Sequence, residues 1–231
     1  MAKLRRGRGI VLTARDVQET DRLVQVLSER EGKVAILVKR ARRMESPYGA
    51  ILEPTNYVEL IYYVREGAYL LKEAHLLKMF AQLRADVAAL GAALTGLAFA
   101  AERLPEGVSE PGVLELVGTF LAELEREIPP RAGLLAFELK LLSLLGHGPH
   151  LAGCVRCGGE EALTWSPDEG LLCRRCGGEG EELSPPLWRG MRMLSRLPLR
   201  AAGRVKLPEA EMERALELLG RFPASTSRGR P

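Results

Sequence analysis

Two kinds of apolar patterning divide the chain. Up to residue 78 the apolar positions fall in short, β-rich runs: GIVLTAR, RLVQVLS, KVAILVKR, ILEPTNYVELIYYVRE and AYLLKEAHLLK. Val24 and Val26 flank Gln25 in a short alternation, and Glu31-Gly32 and Glu66-Gly67 supply tight turns between runs. Helix competes with strand over residues 20–30, where Thr20 can cap and Leu23, Val26, Leu27 and Arg30 have helical spacing. Five such segments in under 80 residues suit a small closed barrel, and an OB-fold is a five-stranded Greek-key barrel of that size.

From Met79 onward Ala, Leu and Glu recur with a period near 3.6. The pattern predicts three helices: MFAQLRADVAALGAALTGLAFAAERL, PGVLELVGTFLAELEREI and RAGLLAFELKLLSLLG. They are separated by Pro105, Pro111, Pro129-Pro130 and the Gly146–Pro149 stretch. The first is apolar on nearly all sides and is expected at the buried centre of a bundle. A cysteine-bearing insert follows, then helices over Pro186–Leu197 and Pro208–Phe222, and a tail expected to fray. The expected organisation is α+β. It comprises a five-stranded OB-fold barrel (1–78), a helical domain (79–150), a four-cysteine zinc ribbon inserted in it (151–183), helices completing it (184–223) and a flexible tail (224–231).

Composition sharpens this picture in two places. The 231 residues are 46% hydrophobic and 27% charged, with mean hydropathy −0.04, which excludes a wholly disordered or collagenous chain. No charge-free apolar run approaches the length of about 18 residues that a span needs, and Ile10–Leu12 is too short for a signal-peptide core. A cytoplasmic, membrane-free protein is therefore expected. The net charge of +3 is unevenly placed: residues 1–43 hold 12 Lys or Arg against 5 Asp or Glu, a local +7, and the remainder carries −4. Clustered cations on an otherwise acidic chain are the footprint of a phosphate-binding end, although a solvated charged face has the same composition.

The most specific motif is a repeat. Residues 154–159 read CVRCGG and residues 173–178 read CRRCGG, with 15 residues between Cys157 and Cys173. Each CxxC turn delivers two thiolates to one ion, so Cys154, Cys157, Cys173 and Cys176 form a tetrahedral zinc set, one Zn2+ per chain. The intervening ALTWSPDEGLL supplies a hairpin with a Pro-Asp-Glu-Gly turn. Four sulfurs leave no open coordination position, which makes the ion structural. His147 and His150 read as ordinary loop or helix-end residues. Arg156, Arg174 and Arg175 beside the turns either touch phosphate or screen the thiolates.

A second constellation is basic. Lys3, Arg5, Arg6 and Arg8 precede the first strand, and Lys39, Arg40, Arg42 and Arg43 follow the third, with no acid in residues 1–15 or 32–44. In an OB-fold such a loop can follow a phosphate backbone. All five tyrosines, Tyr48, Tyr57, Tyr62, Tyr63 and Tyr69, lie in residues 48–69. Rings among cations suit base stacking, whereas tyrosine also simply favours strands. Adjacent Tyr62 and Tyr63 take opposite faces, so at least one leaves the core. No P-loop, GxGxxG, HExxH or GxSxG is present, and nothing in the sequence argues for an enzyme.

The order of these features resembles the RecO family of bacterial recombination mediators. The resemblance rests on GIVLTARDVQETDRLVQVLSEREGKVAILVKRARR, on YVELIYYVREGAYLLKEAHLL and on the paired CxxC turns, and it spans nearly all of the chain. It implies an OB-fold, a helical domain with a zinc module, and binding of single- and double-stranded DNA with strand annealing. It further implies association with RecR and contact with the acidic, apolar-ended C-terminal tail of the single-strand-binding protein, so that RecA can load. DNA repair without nucleotide hydrolysis, in the cytoplasm at the nucleoid, is the expected role. Lys140 or Arg131 is expected to rim the pocket for that tail. A different class, a zinc-ribbon transcription or assembly adaptor whose main partner is protein, is the alternative.

Overall fold

The computed structural model describes residues 3–180 and 182–222, which fall into two compact units, one ending at Glu125 and the other beginning at Arg126. The expected flexible tail lies outside the described residues.

In the first unit, β1 (Lys3–Val17), β2 (Asp21–Ser28), β3 (Gly32–Val38), β4 (Tyr57–Arg65) and β5 (Ala68–Lys78) close a barrel in the order β1-β2-β3-β5-β4. β3 and β5 run parallel and the other pairs antiparallel, and β1 completes the ring by pairing with β4. This is the OB-fold. Its interior is lined by Val11, Val24, Val26, Val34, Ile36, Val38, Val58, Leu60 and Tyr62. The two-residue period of Val24 and Val26 wins over the helical reading of residues 20–30, because ladders to β1 on one side and β3 on the other satisfy the backbone of β2.

Two strand boundaries differ from the sequence expectation. Lys3, Arg5, Arg6 and Arg8 do not precede the first strand but belong to it: β1 runs on toward the N-terminus because residues 3–10 pair with β4 while residues 9–17 pair with β2. The run ILEPTNYVELIYYVRE is not one strand either. It opens in the short helix α1 (Tyr48–Ile51) and turns before β4. The buried Asn56 amide holds that turn by donating to the carbonyls of Ala50 (2.9 Å) and Ile51 (3.1 Å).

The helices α2 (Val87–Arg103) and α3 (Val113–Glu125) pack with the barrel in the same compact unit. Ile10 and Leu12 on the outer side of β1 are buried, and a Cβ on Gly118 would touch Ile10 Cδ1 at 3.8 Å. α2 starts later than the apolar pattern suggests because Asp86 caps it, accepting from the N–H groups of Ala88 (2.8 Å) and Ala89 (3.1 Å). It is also not a buried central helix, since Val87 and Leu94 are exposed.

That role falls to α4 (Pro130–Leu144) in the second unit, where every residue from Ala132 to Leu139 is buried. Packed against α4 are α5 (Pro185–Arg196), through its Leu187, Trp188, Met191 and Leu194 face, and α6 (Glu209–Gly220). Ser184 starts α5 by accepting the Leu187 N–H at 3.2 Å. Between α4 and α5 lies a hairpin of β6 (Leu163–Ser166) and β7 (Gly170–Cys173). Among the described residues no helix is long and apolar enough to cross a membrane.

Candidate nucleic-acid interface and metal centre

The basic residues of the barrel are held in place by acids that the charge pattern did not single out. Asp21, at the start of β2, is 5% exposed and shapes the loop after β3. Its carboxylate accepts the Arg40 N–H at 2.9 Å and the Lys39 ammonium at 2.7 Å. Arg42 is tied to the same corner, with its N–H donated to the Thr20 carbonyl (3.1 Å), its guanidinium to the Glu19 carbonyl (3.1 Å), and an ion pair to Asp16 (3.1 Å). Arg40 and Arg43 make no side-chain ion pair among the described residues. Hydrogen bonds from Lys39 and from the Arg40 N–H hold the Asp21 carboxyl below the usual carboxylate range.

On β1 the four cations do not share one face. Arg5 stands opposite the inward-facing Tyr62 and pairs with Glu31 at the barrel mouth. Arg6 and Arg8 face outward and share the carboxylate of Glu59 on β4, at 2.5 and 3.1 Å. Glu59 is nearly buried while both guanidiniums are more than half exposed, and two cations on one carboxylate leave a positive charge in excess. These hydrogen bonds keep the Glu59 carboxyl below its ordinary range and hold Arg6 above its own. In sequence Glu59 and Asp21 are visible as acids within or beside β-rich runs, but nothing there names their partners.

The tyrosines separate by face. Tyr62 is buried against Tyr69, ring centroids 5.7 Å apart, and burial pushes its phenol up to about 12. Burial, with a hydrogen bond to Glu29, does the same for Tyr57. Tyr48 donates to the Lys72 carbonyl at 3.2 Å. Tyr63 alone of the five is exposed.

The four cysteines converge at the base of the hairpin. Their Sγ atoms all lie within 4.8 Å of one another, and Cys157 and Cys173 are 3.7 Å apart. Four sulfurs at about 2.3 Å from a tetrahedrally bound ion would be about 3.8 Å apart, so the set fits such an ion. Each CxxCGG turn is closed by backbone hydrogen bonds, Gly158 N–H to the Cys154 carbonyl (2.8 Å) and Gly177 N–H to the Arg174 carbonyl (3.1 Å). The first glycine of each motif sits at φ +73° or +92°, a left-handed conformation that costs other residues energy.

Burial disfavours the Cys154 thiolate, but N–H groups of Cys173, Cys157 and Arg156 outweigh it and bring the thiol down to about 6. Cys176 shares its own proton with the sulfurs of Cys173 and Cys157, which pushes its thiol up to about 12. His147 and His150 join no such group among the described residues. Arg156 donates to the Cys176 carbonyl (2.7 Å) and Arg174 to the Gly180 carbonyl (3.2 Å), so both brace the turns. Arg175 is exposed.

Known proteins resemble the chain along its whole length. Residues 1–80 match the family model for the recombination protein O N terminal, and residues 84–226 the model for its C terminal. The chain is 33% identical over 223 residues to the DNA repair protein RecO of Symbiobacterium thermophilum, covering 90% of this chain and 87% of that one. It is 31% identical over 240 residues to that of Rubrobacter xylanophilus, with 99% and 96% covered. To that of Geobacter metallireducens it is 31% identical over 184 residues, with 78% and 75% covered. With both halves of the family model matched in order, and the OB-fold in place, the chain belongs to the RecO family of DNA repair proteins.

Proposed function

We propose that the protein is a non-enzymatic mediator of recombinational repair in the cytoplasm, at the nucleoid. It binds single- and double-stranded DNA, anneals complementary strands and, with RecR, helps RecA load on DNA coated by the single-strand-binding protein. The observation that carries this reading is the arrangement of barrel cations. Arg6, Arg8 and Lys39 stand over buried carboxylates with their own charges in solvent, and Arg40 and Arg43 have no ion pair among the described residues. Clustered cations neutralise phosphates, and two strands neutralised on one surface repel each other less, which raises the encounter rate of complementary bases.

In this reading residues 1–78 are the DNA-binding domain, with Lys3, Arg5, Arg6, Arg8, Lys39, Arg40, Arg42 and Arg43 as contacts. Arg5 and Arg42, tied to Glu31 and Asp16, contribute least. Residues 151–183 are a zinc ribbon whose ion is held by Cys154, Cys157, Cys173 and Cys176. The ion supplies cross-linking of the hairpin rather than reaction chemistry. For the tail of the single-strand-binding protein, Lys140 and Arg131 are poor candidates. Lys140 donates to the Ser195 carbonyl (3.1 Å), and Arg131 pairs with Glu209 (3.1 Å). A cavity of about 410 Å3 lined by Pro129, Ala132, Val205, Leu207 and Met212, with Lys206 beside it, suits an apolar chain end better.

The test is anisotropy of labelled single strands and duplexes with the full-length protein across a salt series. Both are expected to bind, with a negative salt slope, and annealing is expected without any other protein. A chain that binds the tail peptide but neither form of DNA would instead be a protein-assembly adaptor.

A further inference from the structure

The outer face of β1, β4 and β5 carries side chains in rows set by strand register. Leu4 lies opposite Tyr63 and Tyr63 opposite Leu70. These three large apolar side chains are 51%, 36% and 38% exposed, a continuous row across three strands. The next row holds Arg6, Ile61 and Glu73, the one after it Arg8, Glu59 and His75. On the other side of Tyr63, Arg65 lies opposite Ala68, three-quarters exposed and loosely paired with Glu66. Same-face neighbours on a strand are about 6.6 Å apart. Tyr63 thus has a guanidinium one step away in each direction along β4 or its neighbour.

The more usual reading surface of an OB-fold, the face of strands 2 and 3, is partly taken by this chain's own backbone. Lys33 at the start of β3 is buried, its ammonium donating to the Ala101 carbonyl at 2.6 Å and its carbonyl accepting the Gly107 N–H at 2.8 Å. On the β1-β4-β5 face the Leu4–Tyr63–Leu70 row stays exposed among the described residues.

Resting on the DNA-binding reading above, we propose that the Leu4–Tyr63–Leu70 row is a base-stacking platform for single-stranded nucleic acid, with Tyr63 as its central ring and Arg6 and Arg65 as flanking phosphate contacts. An aromatic ring between apolar neighbours accepts the face of any base, and cations at either end complement the backbone that joins successive bases. Duplex bases are hidden in their own stack, so this row serves single strands only, whereas cations serve both forms.

The full-length protein with Tyr63→Ala is titrated into labelled oligothymidylate and into a duplex of equal length at matched salt. Single-strand affinity is expected to fall about five- to 150-fold, the range that removal of one stacked base implies. Duplex affinity should stay within about twofold and the salt slope unchanged, because no charge is removed. Tyr63→Phe, which keeps the ring, should restore single-strand binding. Tyr63→Trp should gain an emission that oligothymidylate quenches and duplex does not. Equal weakening on both substrates, or none on either while the wild type binds, would overturn the platform. Absence of wild-type binding to any DNA would instead overturn the DNA-binding reading itself.

Discussion

The barrel and the cysteine hairpin both crowd like charges together, and they contain the repulsion by opposite means. In the barrel the countercharges belong to the chain: Glu59 lies under Arg6 and Arg8, and Asp21 under Lys39. Folding alone assembles that cluster. In the hairpin four thiols lie within 4.8 Å, Cys173 at the end of β7 and the other three in the turns that flank two strands of four residues each, and the adjacent Arg156 and Arg174 spend hydrogen bonds on backbone carbonyls. A two-stranded ribbon that short is marginal in water. On the zinc reading the hairpin therefore depends on an ion from outside, and the barrel does not.

The largest expected effect comes from removing that ion. Structural zinc is worth about 10–16 kcal/mol in small finger peptides, so Cys173→Ser or a strong chelator should unfold the hairpin. Metal analysis should then find no bound ion, and proteolysis with mass mapping should cut residues 151–183 while the barrel strands stay protected. Loss of protection in both regions together would break the contrast.

The converse test strikes the barrel. Gly32 sits at φ +65° with the Val108 carbonyl oxygen 1.8 Å from where a Cβ would lie. Gly32→Ala should lower stability in urea by about 3 kcal/mol, through strain where the 101–108 segment covers β3, and leave the metal content equal to that of the wild type.

A smaller effect is expected from Arg40→Glu combined with Arg43→Glu. Stability should move by no more than about 0.5 kcal/mol, since neither side chain has an ion pair among the described residues to lose. The salt slope of DNA binding should shrink by about 0.7–0.9 for each phosphate that is no longer neutralised. Lys39→Glu is a worse probe, because it sets a second carboxylate against Asp21 and confuses folding with binding.

The smallest effect is a pH dependence. Hydrogen bonds from Arg6 and Arg8 depress the Glu59 carboxyl in the folded chain, so its contribution is present above the unfolded glutamate pKa of about 4.3. That contribution disappears as pH falls through the folded value. Glu59→Gln should melt below the wild type at pH 7, and the two melting curves should converge below about pH 4. A gap that persists unchanged in acid would mean that Glu59 acts by packing rather than by charge.

What the sequence alone determined is what depends on neighbours a few residues apart. The cysteine cluster was legible because each CxxCGG turn builds its own geometry within six residues. β2 and β3 were legible because apolar alternation is a two-residue property, and α5 because Ser184 and two prolines mark its start. What only the tertiary structure decided depends on pairing between distant segments. Nothing in RRGRG says that it is strand, because its partner, β4, lies about 50 residues on. The division of Arg5 from Arg6 and Arg8 follows from that pairing, as does the use of Glu59 as their shared countercharge. Tyr62 and Tyr63 look alike in sequence, yet one fills the core and the other joins Leu4 and Leu70 in an exposed row. Strand register sets which face each ring takes and what stands beside it, and register is a property of the closed barrel rather than of any one segment.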